Sequence, residues 1–277
     1  MRLIAWLGLL GSFAVLGGCI KDTRVAKLNA DGSGTITATT LMKNTALEMM
    51  REMAKAFGDA GGGAKTPDLF SEEEAKAKAA KMGEGVEFVS FEKLKTADEE
   101  GMKVVYSFKD ITKVKISDQP ETPEAGGPAP KPAKKDPITF KFAKQPSGNL
   151  LLTIVNPQGK EAQEPMKQDD KDQKEDKENE AMEAQLGQAK ELLAGLKVSI
   201  QVEVAGKIVK TNSPHVSGST VTILEMDFDK FLGDASKLKK LMKAQPKSLD
   251  EAKALIKDFP GVKVNRDPEI TVEFAAP

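Results

Sequence analysis

Among 277 residues the sequence holds a single cysteine, a single histidine, a single tryptophan and a single tyrosine. One cysteine forbids an internal disulfide, and one cysteine with one histidine cannot build a Cys/His zinc site. A charge excess of either sign is also lacking: 41 Lys and Arg stand against 42 Asp and Glu, a formal net charge of −1. A general nucleic-acid binder carries a strong basic excess, so that class of partner is set aside. No apolar run reaches the roughly 20 residues of a membrane span. No Gly-x-Ser-x-Gly, His-Glu-x-x-His, Walker or Rossmann string occurs, so the chain is read as non-enzymatic, without cofactor or metal. What is present, 39% hydrophobic and 30% charged residues, is the composition of a globular chain with some solvated sequence.

The first informative stretch is the start. Met1-Arg2 gives a short positive end, and Leu3 to Leu16 form an uncharged apolar run of signal-core length. Leu16-Gly17-Gly18 then leads into the lone Cys19. Small residues suit a peptidase pocket, and a thiol is the nucleophile that accepts a lipid. These residues resemble the bacterial lipoprotein signal, whose lipobox is a Leu-small-small-Cys run. The resemblance implies that residues 1–18 are a signal peptide. It also implies that Cys19 becomes the mature N-terminus, thioether-linked to diacylglycerol and usually N-acylated, with palmitate among the chains. At about 0.8 kcal/mol per buried methylene, one chain anchors marginally and two or three anchor stably. Ile20 is not the Asp of an inner-membrane retention signal, so outer-membrane sorting is favoured if the host has two membranes. The competing reading is an ordinary signal peptide with an incidental cysteine, and it leaves an exported free thiol to be explained. Trp6 leaves with the signal, and the rest is expected to be anchored to a membrane rather than to cross it.

Two stretches break the exported part, 19–277. Residues 117–137 contain Pro120, Pro123, Pro128, Pro130, Pro132 and Pro137, whose fixed φ and missing donors exclude helix and central strand. Residues 158–180 form a charge run with too little apolar area to offset chain entropy. Both are read as disordered insertions, and Gly58 to Lys65 as a shorter flexible piece. Strand patterns dominate between them. Arg24 to Leu28, a turn at Asp31-Gly32, and Thr35 to Leu41 read as a hairpin. Alternation marks strands at Val86-Phe88, Val104 to Phe108, Ile138 to Phe142, Val198 to Val204, Val221-Ile223 and Ile270 to Phe274. One wet face and one buried face favour antiparallel pairing. Pro146-Ser147-Gly148 and Pro214 to Gly218 are expected to be hairpin turns.

Helices are expected at four places. Met42 to Phe57 sets Leu47, Met50, Ala54 and Phe57 on one stripe. Ser71-Glu72-Glu73-Glu74 is a capping box for a helix to about Met82, ended by Gly83. Met182, Leu186, Ala189, Leu193 and Leu196 form an amphipathic seam. Ser248 to Glu251 is a second capping box, with Pro260-Gly261 as the stop. The string from Glu73 to Phe88 echoes that from Asp250 to Val264, but helix propensity of Glu-Ala-Lys-Ala explains the likeness more simply than duplication.

Three constellations invite chemistry. Asn29-Ala30-Asp31-Gly32-Ser33-Gly34-Thr35-Ile36 resembles the start of an EF-hand loop. Its twelfth position is Thr40 instead of the bidentate Glu, and a β pattern follows, so a glycine-rich hairpin turn is preferred. His215 lies in a polar turn near Ser213, Ser217 and Ser219, where neighbours in sequence rarely aim at one another, so a structural role is preferred. Met42, Met49, Met50 and Met53 give a helix with flexible thioethers, read as core. Beside a curved sheet, the same helix is where a lipid-sized pocket is sought.

Lys27 to Thr37, with its Asn-Ala-Asp-Gly-Ser-Gly turn, looks like the opening of the LppM-like family of bacterial envelope lipoproteins. Gly206 to Asn212 followed by Gly218-Ser219-Thr220-Val221 is similar to that family's later hairpin. The resemblance implies an α+β domain linked to lipid-like binding. Family members often carry a C-terminal membrane helix, whereas this chain ends Phe274-Ala275-Ala276-Pro277, and no binding residue is carried across. The expectation is therefore an exported, lipid-anchored α+β protein. A largely antiparallel sheet has amphipathic helices on one face, as one domain or as two lobes, 23–156 and 181–277. The expected role is a non-catalytic cell-envelope protein that binds an apolar ligand or a partner protein. The alternative is a structural or assembly lipoprotein without a ligand pocket.

Overall fold

The computed structural model describes residues 20–59, 70–117, 136–157, 193–234, 236, 259–265 and 267–276. The hairpin forms as the alternation requires. β1 (Ile20–Leu28) and β2 (Gly34–Lys43) pair antiparallel from Ile20↔Met42 to Leu28↔Gly34. The turn is closed by the Asn29 amide on the Ser33 carbonyl and by Gly32 at φ +88°, a left-handed conformation that favours glycine. On β1, Ile20, Asp22, Arg24, Ala26 and Leu28 all point inward.

Around this hairpin an eight-stranded sheet grows in both directions. β2 pairs with β4 (Glu99–Phe108), and β4 with β3 (Glu87–Lys95), whose register slips at a bulge between Phe88 and Ser90. On the other side β1 pairs with β7 (Lys197–Val204), in parallel, from Lys21↔Lys197 to Leu28↔Val204. β7 pairs with β10 (Thr220–Asp227), which takes β11 (Val262–Val264) and the short β9 (Val216–Ser217). A second, four-stranded antiparallel sheet runs in the order β5 (Thr139–Lys144), β6 (Leu150–Val155), β12 (Glu269–Phe274) and β8 (Ile208–Thr211).

Each sheet has one apolar face, and both faces feed one continuous core. The large sheet contributes Ile36, Val104, Tyr106, Phe108, Ile200 and Val202; the small one contributes Phe140, Leu152, Ile154, Ile270, Val272 and Phe274. Helices add cover at the margins. α1 (Asn44–Asp59) inserts Leu47. α2 (Glu72–Ala79) is capped by Ser71 Oγ, which accepts from the Glu74 amide, and it buries Ala75 and Ala79. The Tyr106 hydroxyl donates to the Ala75 carbonyl at 3.0 Å, which pins α2 over β4. α3 (Phe228–Gly233) is capped by Asp227 and buries Phe228, Phe231 and Leu232.

The described residues are thus mixed α and β, strand-dominated and poor in helix. The expected antiparallel strands are present, with β1–β7 as a parallel exception. The cover differs from expectation, because much of it comes from a second sheet instead of helices alone. Pro146-Ser147-Gly148 forms the β5–β6 turn as read, with the Gly148 amide on the Gln145 carbonyl. Pro214 to Gly218 does not join two neighbours: β8 before it belongs to the small sheet and β10 after it to the large one. The tight turn there sits at Gly218 (φ +60°), between β9 and β10. Most of 117–137, all of 158–180, the second capping box and the seam up to Leu192 lie outside the described residues.

Candidate functional site

The inward face of β1 carries an ion pair. Asp22 and Arg24 are 1% and 6% exposed, two residues apart on one face of a strand in the middle of the large sheet. Arg24 grips the carboxylate with both arms, Nη2 to Oδ2 at 2.6 Å and Nε to Oδ1 at 3.3 Å. Its Nη1 reaches the Ser117 carbonyl at 2.7 Å, at the mouth of the proline-rich insertion. Their cross-strand partners are Thr40 and Val198 for Asp22, and Ala38 and Ile200 for Arg24. A charged pair in apolar surroundings needs such complete ligation, since taking two charges from water costs several kcal/mol per ion.

The end of the sheet where β1 begins gathers a ring of neutralised carboxylates. Lys21 pairs with Glu99 at 2.6 Å, and Lys95 and Arg51 both hold Glu100, at 2.6 and 3.2 Å. Lys230 and Lys197 flank Asp227 at 3.3 and 3.9 Å. Hydrogen bonds from Lys95 and then Arg51 hold the Glu100 carboxyl below its ordinary range. Under this ring Phe231 packs on Phe228 and Phe259, with centroids 6.1 and 5.0 Å away. Cys19, covalently next to Ile20, lies just outside the described residues, as do residues 1–18, read from the sequence as a signal peptide.

A neutral polar cluster sits between the two sheets' ends. Asn156 Nδ2 donates to the Asn265 carbonyl at 2.8 Å, and Asn265 Nδ2 donates to Ser213 Oγ at 2.9 Å. All three side chains are buried. His215 meets Ser213 through its backbone amide, which donates to Oγ at 3.2 Å, and its carbonyl accepts from the Thr222 amide. The imidazole and the Ser213 hydroxyl are therefore not brought together as base and nucleophile; Ser213 Oγ serves as an acceptor for two amides.

At the opposite end of the large sheet, the EF-hand-like string forms the β1–β2 turn. Asp31 Oδ1 accepts from Ser33 Oγ at 2.6 Å and from the Ser33 amide at 2.9 Å, which holds its carboxyl below the ordinary range. Asp110 repeats this with Thr112, with the same consequence. The two turns are joined by the Ile111 amide on the Gly32 carbonyl at 3.0 Å. Among the described residues, no group of three or more His, Cys, Asp or Glu is placed to hold a metal ion. In the methionine-bearing region Met42 is fully buried on β2 and not on the helix, whereas Met49 on α1 is 54% exposed. The side chains of Met50 and Met53 lie outside the described set.

Sequence reading did not single out Asp22, Arg24 or the Asn156–Asn265–Ser213 cluster. Asp22 and Arg24 share the inward phase of Ala26 and Leu28, but their charge hides that phase in the sequence. No protein-family model and no curated protein matches this sequence. Among solved structures, the NMR structure of the folded domain of Mycobacterium tuberculosis LppM is matched over 94% of this chain and 91% of that one. Identity is 8% and the TM-score 0.32.

Proposed function

We propose that this chain is a non-catalytic cell-envelope protein anchored by lipid on Cys19, which holds an apolar ligand or a partner protein close to a membrane. One observation carries the reading. The only cysteine follows Leu16-Gly17-Gly18 directly, after an uncharged apolar run of signal length. That order of features serves export and acylation together, and a lone exported thiol has no disulfide partner to use instead. Sorting to the outer membrane follows from Ile20 if the host has two membranes. The structural or assembly reading is supported by the core itself: the inward faces of both sheets contribute side chains to one apolar cluster, with the Asp22–Arg24 pair buried on the inward face of β1.

The test is acylation. The full chain is expressed in a bacterial host fed an alkyne-bearing palmitate analogue, beside Cys19→Ser. The expected result is labelled protein in the membrane fraction, with an intact mass beginning at a diacylglyceryl Cys19, and no label in the variant. An unmodified Cys19 would overturn the anchor. The choice between ligand and partner rests on native mass spectrometry of residues 20–277. An added lipid mass lost on denaturation supports a carrier; a bare mass after incubation with envelope lipids turns the search to proteins.

A further inference from the structure

We infer that the end of the large sheet where β1 begins, together with the first two turns of α1, is the surface this protein lays on the lipid bilayer. The inference rests on the reading of Cys19 as the lipidated residue. Its physical root is the missing tether. Consecutive α-carbons are 3.8 Å apart across a trans peptide, and Ile20 is already strand: 2% exposed and in register with Met42. A lipid on Cys19 therefore enters the bilayer next to the first residue of a strand in the middle of the sheet, with no linker through which the domain could stand off or tumble.

The registers define what lies at that end. Lys43↔Glu99, Lys21↔Lys197 and Asp227↔Lys197 place the β3–β4 turn at 96–98, the starts of α1 and β7, and α3 beside Ile20. The Asn44 amide bonds the Asp98 carbonyl at 2.9 Å, and Asn44 Nδ2 bonds the Ala97 carbonyl at 3.0 Å, so helix and turn form one rim. α1 is held against this rim by buried Leu47 and by Arg51 on Glu100. The β1–β2 turn and the start of the loop after Phe108 lie at the far end. Eight strand steps separate the two ends, roughly 26 Å at about 3.3 Å per residue, so the far end clears a headgroup layer only about 5–7 Å deep.

Two features of the rim suit a bilayer. Glu99, Glu100 and Asp227 are each paired with one or two cations and do not repel anionic headgroups as free charges would, while Asp98 and Glu48 stand exposed at the same rim. Among the described side chains Met49 is the large hydrophobic one left exposed at this end; the others, Val89, Val209 and Val216, lie elsewhere. A flexible thioether on a helix rim fits the headgroup–acyl boundary, where amphipathic helices bury their apolar side.

The experiment uses the full, lipidated chain in phosphatidylethanolamine–phosphatidylglycerol vesicles. Because the chain has one cysteine, acylation leaves an introduced thiol as the sole labelling site. Met49→Cys, Asp98→Cys and Lys109→Cys are exposed positions, two at the rim and one at the far end, each tagged with a bimane fluorophore. Nitroxide placed at the lipid headgroup should quench labels at 49 and 98 several-fold more than at 109. Equal quenching at all three, or stronger quenching at 109, on protein that is lipidated and floats with vesicles, overturns this inference alone. Two labels per chain with no flotation means an unlipidated Cys19, which overturns the anchor reading and this inference with it.

Discussion

Asp22 and Arg24 place opposite charges two residues apart on the inward face of a strand that is otherwise apolar, and that placement makes a sharp prediction. Removing one partner leaves an uncompensated buried charge, a loss of about 3–5 kcal/mol. Arg24→Met and Asp22→Val should each lower the unfolding free energy measured by urea titration by that amount, whereas the double variant should recover most of it, because a well-packed apolar pair is often neutral or better. A full additive loss in the double variant would show that the two residues act through separate partners, such as Ser117 for Arg24, and not through each other. A second residue-scale expectation concerns pH. Asp31, Asp110 and Glu100 all ionise more readily when folded, through bonds from Ser33, Thr112, and Lys95 with Arg51 respectively. Depressed carboxyls favour the folded state most above the unfolded value of about 4, and that support disappears as pH falls through the lower folded value. Melting temperature should therefore hold down to the ordinary carboxylate range and drop beneath it. Asp31→Asn with Asp110→Asn, which keep an acceptor oxygen but cannot take up a proton, should shallow that drop slightly. Exposure keeps each contribution small. This was partly legible beforehand: the turn at Asp31-Gly32 follows from residue type, but Asp22 was not, because charge at an inward position contradicts the very pattern that identifies a strand.

At the scale of elements, legibility followed contrast. Strands with a wet face, such as β1, β4, β7 and β12, could be read from alternation, since solvent on one side demands polar residues every second position. β6 lies between β5 and β12, and its outward Leu151, Thr153 and Val155 are only half-buried. Its sequence is a near-continuous apolar run with no period to read. α3 spans six residues, too short for a helical repeat to appear. Glycines supply a test of how tightly these elements meet. A methyl on Gly34 would run into the Lys27 carbonyl and Phe108, and one on Gly101 into the Thr40 carbonyl, backbone that cannot move without breaking the β1–β2–β4 ladder. Gly148, in the β5–β6 turn at φ +88°, has nothing within 4 Å of that position. Gly148→Ala should cost only the left-handed backbone penalty, about 1–2 kcal/mol. Gly34→Ala and Gly101→Ala should cost clearly more, to the point of losing soluble protein. Comparable melting temperatures for all three would mean the ladder is looser than its registers state.

For the whole molecule, the partners of strands matter more than their existence, and partners are what periodicity omits. Nothing in Lys21 to Leu28 says that its second neighbour lies 176 residues on, from Lys21 to Lys197, or that the pairing is parallel. The sequence leaves one domain or two lobes split near the charge run 158–180 open; in both sheets, strands from either side of that run are paired. β1 holds β7 from Lys21↔Lys197 to Leu28↔Val204, and β6 holds β12 from Glu269↔Val155 to Phe274↔Leu150. Each half thus leaves a strand edge for the other to cover, and an uncovered edge and apolar face are costly in water. A protease site placed within 158–180 of the full chain provides the test. The cut chain should remain one particle, with a single cooperative unfolding transition, because the strand pairings on either side of the cut are maintained by the sheets themselves. Expressed alone, residues 20–157 and 181–277 should each fail to unfold cooperatively, and mixing them after refolding should restore the transition of the cut chain. Two halves that unfold independently, each with its own sharp transition, would establish separate lobes and reduce the β1–β7 ladder to a docking contact.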